Sequence, residues 1–333
     1  MDYDVVRWID NWLSDREQRV SINGEFSDWG KITSGVPQGS ILGPVLFSIF
    51  INGIDNQLIN KILKFADDTK IWGKVNCQEE LKSIQDDLIT LKIWSEKNNM
   101  PFNVSKCKVM HLGRNNIKAT YSFMGSILTE TKEEKDLGVY FGESFSPSLN
   151  CSKVCKAAQG IMGLIKRNIK NRSKDGMLIL YKTLVRPLLD YCSQIWKPYL
   201  RKDITLVERI QKRYTKMIDG CKKMKYEKRL EFLNLTTMED RHKRADMVQV
   251  YKILNDKLNI YPGNFLKLSD RKGRKNSLKL YKKRVNKELS KHGFTFRIIE
   301  QWNALPDQVV LADSVNEFKG GFDHLTRETG RRP

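Results

Sequence analysis

Ile62-Leu63-Lys64-Phe65-Ala66-Asp67-Asp68-Thr69-Lys70-Ile71-Trp72 is the stretch that decides how this chain folds. Two apolar, strand-forming flanks meet at an adjacent pair of carboxylates, the pattern of a β-hairpin with Asp67 and Asp68 at its turn. Mg²⁺ asks for oxygen ligands in near-octahedral geometry, and two-metal sites use shared carboxylates to clamp the attacking and leaving oxygens of a phosphoryl transfer. Taken alone the pair has a plainer explanation, because aspartate is a common turn residue. Its surroundings decide between the two.

Upstream, Ser34-Gly35-Val36-Pro37-Gln38-Gly39-Ser40 opens the apolar run from Ile41 to Ile51, a loop entering a buried helix. Gly35 and Gly39 let the backbone approach a ligand closely, Pro37 stiffens the turn, and the helix N-terminus offers unpaired amides to a phosphate. Gln38 can both donate and accept, which suits a base or a sugar. A helix start capped by Ser40 or Ser34 and leading into core accounts for the same residues without a ligand. The loop followed by the Asp-Asp hairpin, in that order, is a combination expected of a template-copying polymerase.

On these motifs the chain resembles the reverse transcriptases of non-LTR retrotransposons, in particular the jockey-like group. The likeness runs over nearly the whole length. Arg7-Trp8-Ile9-Asp10-Asn11-Trp12-Leu13-Ser14-Asp15-Arg16 looks like the family's helix ahead of the palm loop, and Gln18-Arg19-Val20 and Asn23-Gly24 follow it. Asn103-Val104-Ser105-Lys106-Cys107 looks like the lysine-bearing palm segment, and Lys135-Asp136-Leu137-Gly138-Val139 like the primer-grip hairpin. Farther on, Leu180-Tyr181-Lys182, Val185-Arg186-Pro187, Leu189-Asp190-Tyr191 and Trp196-Lys197-Pro198-Tyr199 keep the pattern, and Trp302-Asn303-Ala304-Leu305-Pro306 resembles the usual end.

The resemblance implies an α+β protein: a partial palm (an antiparallel sheet with packed helices) over 1–148, a helical, thumb-like basic domain over 149–260 and a basic C-terminal region over 261–333. It implies an RNA-directed DNA polymerase that uses an RNA template, a DNA primer, deoxynucleoside triphosphates and Mg²⁺ or Mn²⁺. Asp67 is then the principal catalytic metal ligand and Asp68 the secondary one. Lys106 would protonate or neutralise the departing pyrophosphate, although a surface lysine on a strand edge fits nearly as well. Gly35, Pro37, Gln38, Gly39 and Ser40 are the expected nucleotide- and template-binding residues, and Leu137 and Gly138 the turn that holds the primer end.

One departure outweighs these matches. In the family a further catalytic aspartate sits on an earlier palm strand, ahead of the segment that begins here near Arg7. Asp2 and Asp4 are too near the first residue to lie on such a strand, and Val5, Trp8, Ile9, Trp12 and Leu13 repeat at helical spacing. The fingers are missing as well. The expectation is therefore a truncated polymerase with an incomplete metal site, not competent alone, and the sequence leaves open whether another polypeptide restores the fingers. Gly53, where the family usually has an acidic residue, is a smaller departure.

Charge is divided unevenly along the 333 residues. Residues 1–150 hold 17 Lys or Arg against 20 Asp or Glu, a net of −3, and residues 151–333 hold 42 against 19, a net of +23. A helical part this basic suits polyanions, bound through phosphate neutralisation that weakens as salt rises. This leaves a second reading, a non-catalytic nucleic-acid-binding protein, and a third, a degraded element without a cellular role. No signal peptide or membrane span is evident, since the longest apolar run, 41–51, is too short to cross a bilayer. The six cysteines are scattered and suit a reducing compartment, so the chain is expected inside the cell, in nucleus or cytoplasm.

Local signals complete the reading. Strands over 18–22 and 25–32 flank the tight-turn pair Asn23-Gly24. Leu81, Ile84, Leu88, Leu91 and Trp94 mark one helix face expected to pack on the hairpin, with Asn76 and Glu79 as a reciprocal cap. Short strands are expected at 108–112 and 139–141, and beyond Leu149 helices dominate, one following Asp203 and stopping at Gly220. Arg271-Lys272-Gly273-Arg274-Lys275 reads as a mobile loop that touches phosphates or as a nuclear targeting signal.

Overall fold

Asp2 opens the first helix, α1 (Tyr3–Leu13), by accepting a hydrogen bond from the Asp4 amide at 3.0 Å. The structure, a computed structural model, describes residues 2–113, 115–270 and 276–328. The Arg271–Lys275 run lies outside the described residues. Close contacts divide the chain into two units, Met1–Thr131 and Lys132–Pro333.

In the first unit, β1 (Glu17–Gln18) pairs antiparallel with β4 (Gly30–Lys31) around a hairpin of β2 (Ser21–Ile22) and β3 (Glu25–Phe26). Asn23 and Gly24 both take positive φ there, as a mirror-image turn requires. Helix α2 (Leu42–Ile51) runs through a 3₁₀ turn, Asn52–Asp55, into β5 (Lys61–Phe65) and β6 (Asp68–Trp72). Helix α3 (Gln78–Lys97) follows, then β7 (Lys108–Val109), a hairpin of β8 (Ser122–Phe123) and β9 (Ser126–Ile127), and β10 (Thr129–Glu130), parallel to β7. Ile51, Ile54, Leu81, Leu91 and Phe123 are the centre of the core, and Ile62, Ile71, Ile84 and Leu88 pack against it. The face predicted for α3 therefore does meet the hairpin. Buried Asp87 fixes the junction by accepting from the amides of Ile59 (2.8 Å) and Asn60 (2.9 Å) just before β5.

Three local expectations need correction. Cys77 is the N-cap of α3, one residue later than expected, so Glu80 and not Glu79 reaches back to the Asn76 amide at 2.7 Å. The strand expected at 108–112 stops at Val109. The expected antiparallel sheet is instead a set of separate two-stranded ladders among the described residues, one of them parallel. Its coarse class, helices with small sheets, is α+β.

The second unit starts with the hairpin of β11 (Glu133–Asp136) and β12 (Val139–Gly142), which packs on α4 (Ser148–Asn168) through buried Val139. Helices α5 (Lys174–Leu180), α6 (Arg186–Asp190), α7 (Ser193–Trp196), α8 (Arg201–Thr215), α9 (Tyr226–Phe232) and α10 (Met238–Leu254) follow. A π-helical turn, Tyr181–Val185, stands between α5 and α6, just before Pro187, which has no amide to donate. Helix α8 ends at Thr215, and Gly220, expected as its stop, takes φ +77° five residues later. Short helices α11 (Glu288–His292), α12 (Phe294–Arg297), α13 (Ile299–Asn303) and α14 (Asp307–Val310) lead to α15 (Val315–Glu328). Beyond β12 the described residues hold one isolated bridge, Leu268 with Leu280, so helices do dominate.

Helix α10 joins two cores: Met238 belongs to one with Tyr181, Ile210 and Tyr214, while Met247, Val250 and Tyr251 belong to the other with Trp302 and Phe318. On the same helix His242 lies buried, its Nε2 2.8 Å from the Leu189 carbonyl, and burial lowers its pKa below the ordinary histidine value. The native state then binds fewer protons than the unfolded chain just below about pH 6.5. Stability is complete above that pH and falls as pH drops towards the native value. A melting temperature that declines from pH 7 to pH 5, with a shallower slope in His242→Gln, is the expected result.

Candidate metal and nucleotide site

Ladder pairing of Phe65 with Asp68 leaves Ala66 and Asp67 as the two-residue tip of the β5–β6 hairpin. Ala66 takes φ +51°, a left-handed conformation that costs an L-residue about 1 kcal/mol or more and is commonly stored at functional sites. Asp67 at the tip and Asp68, the first residue of β6, are both exposed, so this end of the hairpin carries two solvent-facing carboxylates. Lys64 secures the hairpin below. Its ammonium donates to the carbonyls of Ile51 (3.4 Å) and Asn52 (3.2 Å) at the end of α2 and to Asp55 Oδ1 at 2.9 Å. That hydrogen bond holds the Asp55 carboxyl below its usual range. Neither Lys64 nor Asp55 was singled out from the sequence, where a lysine inside a strand and an aspartate in a loop look ordinary.

The Gly35–Ser40 loop is tightly built. Gly35 and Gly39 take φ +83° and +78°, and the Gly35 carbonyl accepts from Arg16 Nη2 at 2.5 Å. Ser40 Oγ donates to the Pro37 carbonyl at 2.8 Å and accepts from the Gly43 amide at 3.0 Å, so its hydroxyl ties the loop to the first turn of α2 from the residue before the N-cap, Ile41. A Cβ on Gly43 would stand 2.8 Å from Ser40 Oγ and 3.0 Å from the Pro37 carbonyl. Gly43→Ala is therefore expected to destabilise the chain by about 1–3 kcal/mol, measured by urea unfolding. An unchanged midpoint would mean that the loop yields freely.

Lys106 lies exposed on a 3₁₀ turn, Val104–Lys106, two residues before β7, and not on a strand edge as the plainer alternative supposed. Among the described residues, no recorded hydrogen bond or ion pair links Lys106, or the side chains of the 35–40 loop, to Asp67 or Asp68. In the second unit Leu137 and Gly138 form the β11–β12 turn, both with positive φ, and the Tyr191 hydroxyl donates to the Leu137 carbonyl at 3.0 Å. Tyr191 is a contributor the sequence could not show as such, because its partner is 54 positions away.

Two carboxylates match the oxygen chemistry of Mg²⁺ or Mn²⁺ but supply only part of its coordination. No group of three or more His, Cys, Asp or Glu side chains placed to hold a metal ion occurs among the described residues. The pair fits the anchor of a divalent cation and does not by itself fit a two-metal set. No described helix is long and apolar enough to cross a membrane.

A family model, reverse transcriptase (RNA-dependent DNA polymerase), matches residues 2–141, which hold the loop, the hairpin and both aspartates. Over those residues the chain is similar to reverse transcriptases, and the relatives it matches are polymerases of jockey and other mobile elements. It is 29% identical over 233 residues to the RNA-directed DNA polymerase from mobile element jockey of Drosophila funebris, covering 65% of this chain and 25% of that protein. It is 24% identical over 227 residues to the jockey polymerase of Drosophila melanogaster, covering 64% and 25%. A Pol polyprotein from a type-1 retrotransposable element R1 of Nasonia vitripennis is 24% identical over 191 residues, covering 50% and 44%. The chain thus spans about a quarter of the length of the jockey proteins it matches.

Proposed function

We propose that this chain is the metal-anchoring and nucleotide-positioning part of an RNA-directed DNA polymerase, a palm followed by helical, thumb-like and C-terminal parts. Its work is to help extend a DNA primer along an RNA template with deoxynucleoside triphosphates. The observation that carries this reading is the outward presentation of Asp67 and Asp68 on a hairpin sharing one core with the helix that follows the Gly35–Ser40 loop.

In this reading Asp67 is the principal ligand of a divalent cation and Asp68 the secondary one; the bound cation supplies charge neutralisation at the phosphates. Gly35, Gly39 and the amides at the start of α2 receive the triphosphate, Gln38 orients base or sugar, and Pro37 and Ser40 keep the loop in shape. Lys106 neutralises pyrophosphate as it leaves. Leu137 and Gly138 hold the primer end.

The chain needs a complementing polypeptide for this work. Two-stranded hairpins are marginal alone, and the β5–β6 ladder has no third strand among the described residues. Helix α2 is apolar except for Ser48, as buried helices are, yet its Val45, Ile49 and Phe50 are exposed, as are Ile41 just before it and Leu63 and Phe65 on the hairpin. Polypeptide from the remainder of the polymerase, three quarters of the jockey proteins, is the natural cover for this surface and the natural source of another carboxylate. Primer extension in a reconstituted polymerase, with Asp67→Ala as control, tests the reading.

A further inference from the structure

The turn between β11 and β12 is shaped by a residue that the primer-grip reading did not include. Both turn residues are left-handed, Leu137 at φ +43° and Gly138 at φ +85°. A Cβ on Gly138 would stand 2.9 Å from the Tyr191 ring, so the ring lies directly on the turn, and the Tyr191 hydroxyl donates to the Leu137 carbonyl at 3.0 Å. Tyr191 is 55% exposed, which means that its position owes more to these contacts than to burial.

The platform beneath the ring is firm. The Tyr191 amide donates to the Pro187 carbonyl at 3.0 Å, and the Tyr191 carbonyl accepts from Nε1 of buried Trp196 at 2.7 Å. Asp190, one residue earlier, pairs with Arg241 at 2.6 Å. Cys192, one residue later, takes φ +50°, a left-handed conformation that few L-residues adopt. The hairpin itself does not depend on Tyr191: its strands pair from Glu133 with Gly142 to Asp136 with Val139, Val139 is buried, and Asn150 accepts from the Tyr140 amide at 3.0 Å. The clasp acts on the turn alone.

We infer that Tyr191 is a positioning residue, which holds the Leu137–Gly138 turn in the one shape that meets the primer end. The inference rests on the primer-grip reading and adds to it the group that keeps the turn rigid. Leu137, 45% exposed at the tip, is then presented on a fixed backbone instead of a swinging one.

The test uses the full chain, an RNA template and a DNA primer ending in a photoreactive thio-substituted pyrimidine, with cross-linked peptides mapped by mass spectrometry. The wild-type chain is expected to cross-link within 135–140. Tyr191→Ala should lower that yield about tenfold, and Tyr191→Phe, which keeps the ring and loses one hydrogen bond, about threefold. Affinity for a blunt duplex, which offers no recessed primer end, should stay within about twofold in both variants. Equal cross-linking in wild type and Tyr191→Phe and Tyr191→Ala overturns the role of Tyr191 and leaves the primer grip standing. Loss of blunt-duplex affinity in step with the cross-link also overturns it, because the residue would then be merely structural. A wild-type chain that cross-links elsewhere removes the primer-grip reading and the inference together.

Discussion

Primer extension is expected from this chain only after the remainder of a jockey-type polymerase, the three quarters of the Drosophila funebris protein that it does not match, has been added. The chain alone, with primer, RNA template, nucleotides and Mg²⁺ or Mn²⁺, should give no product above a blank. The physical ground is ligand count: a two-metal transfer needs shared carboxylates that clamp both oxygens, and the described residues offer an adjacent pair. In the reconstituted mixture Asp67→Ala should reduce extension by about three orders of magnitude or more, and Asp68→Ala by less. Retention on the primer-template should persist in Asp67→Ala and weaken steeply with salt, since it draws on the +23 excess of residues 151–333. Product from the bare chain, or full activity in the Asp67→Ala mixture, would defeat the proposal.

Asp246→Ala is expected to be among the most damaging single changes to the second unit. Asp246 is fully buried, and Arg297 grips it like a fork, Nε to Oδ2 at 3.0 Å and Nη2 to Oδ1 at 2.7 Å, while Lys197 Nζ lies 2.9 Å from Oδ2. Burial lowers the Lys197 pKa, and Asp246 counteracts part of that effect. Without the carboxylate two cations face each other out of water, a situation that costs about 3–5 kcal/mol when one member of a buried pair is removed. The chain's urea midpoint should drop accordingly with little change in slope. Adding Arg297→Met to Asp246→Ala should recover part of the loss, because one of the two stranded charges is then gone and burial already favours the neutral form of the other, Lys197. A single-variant loss under about 1 kcal/mol would mean that water reaches the cluster and screens it.

Much of the candidate site was legible because its signals are local. A strand–Asp–Asp–strand pattern defines its own hairpin, Asn23-Gly24 defines its own turn, and glycines at 35 and 39 announce positive φ before any coordinates are known. The reciprocal cap was misplaced by a single residue for the same reason: several nearby acids could serve, and only the true start of α3 picks Glu80. Contacts over long separations left no such trace. Lys64, Arg297 with Asp246, and Tyr191 on Leu137 are pairings between residues that look like ordinary strand, surface or loop positions in one dimension.

By itself, then, the sequence determined the resemblance to reverse transcriptases, the α+β class, the hairpin that carries Asp67 and Asp68 and the asymmetry of charge, all properties of residue order and short spacing. Tertiary structure alone decided which carbonyls Lys64 and Tyr191 secure, which carboxylate neutralises Arg297 and Lys197, and how much apolar surface α2 and the hairpin leave open. Burial and hydrogen-bond satisfaction are settled only when distant segments meet, because the same side chain is inert in water and decisive once its neighbours exclude it.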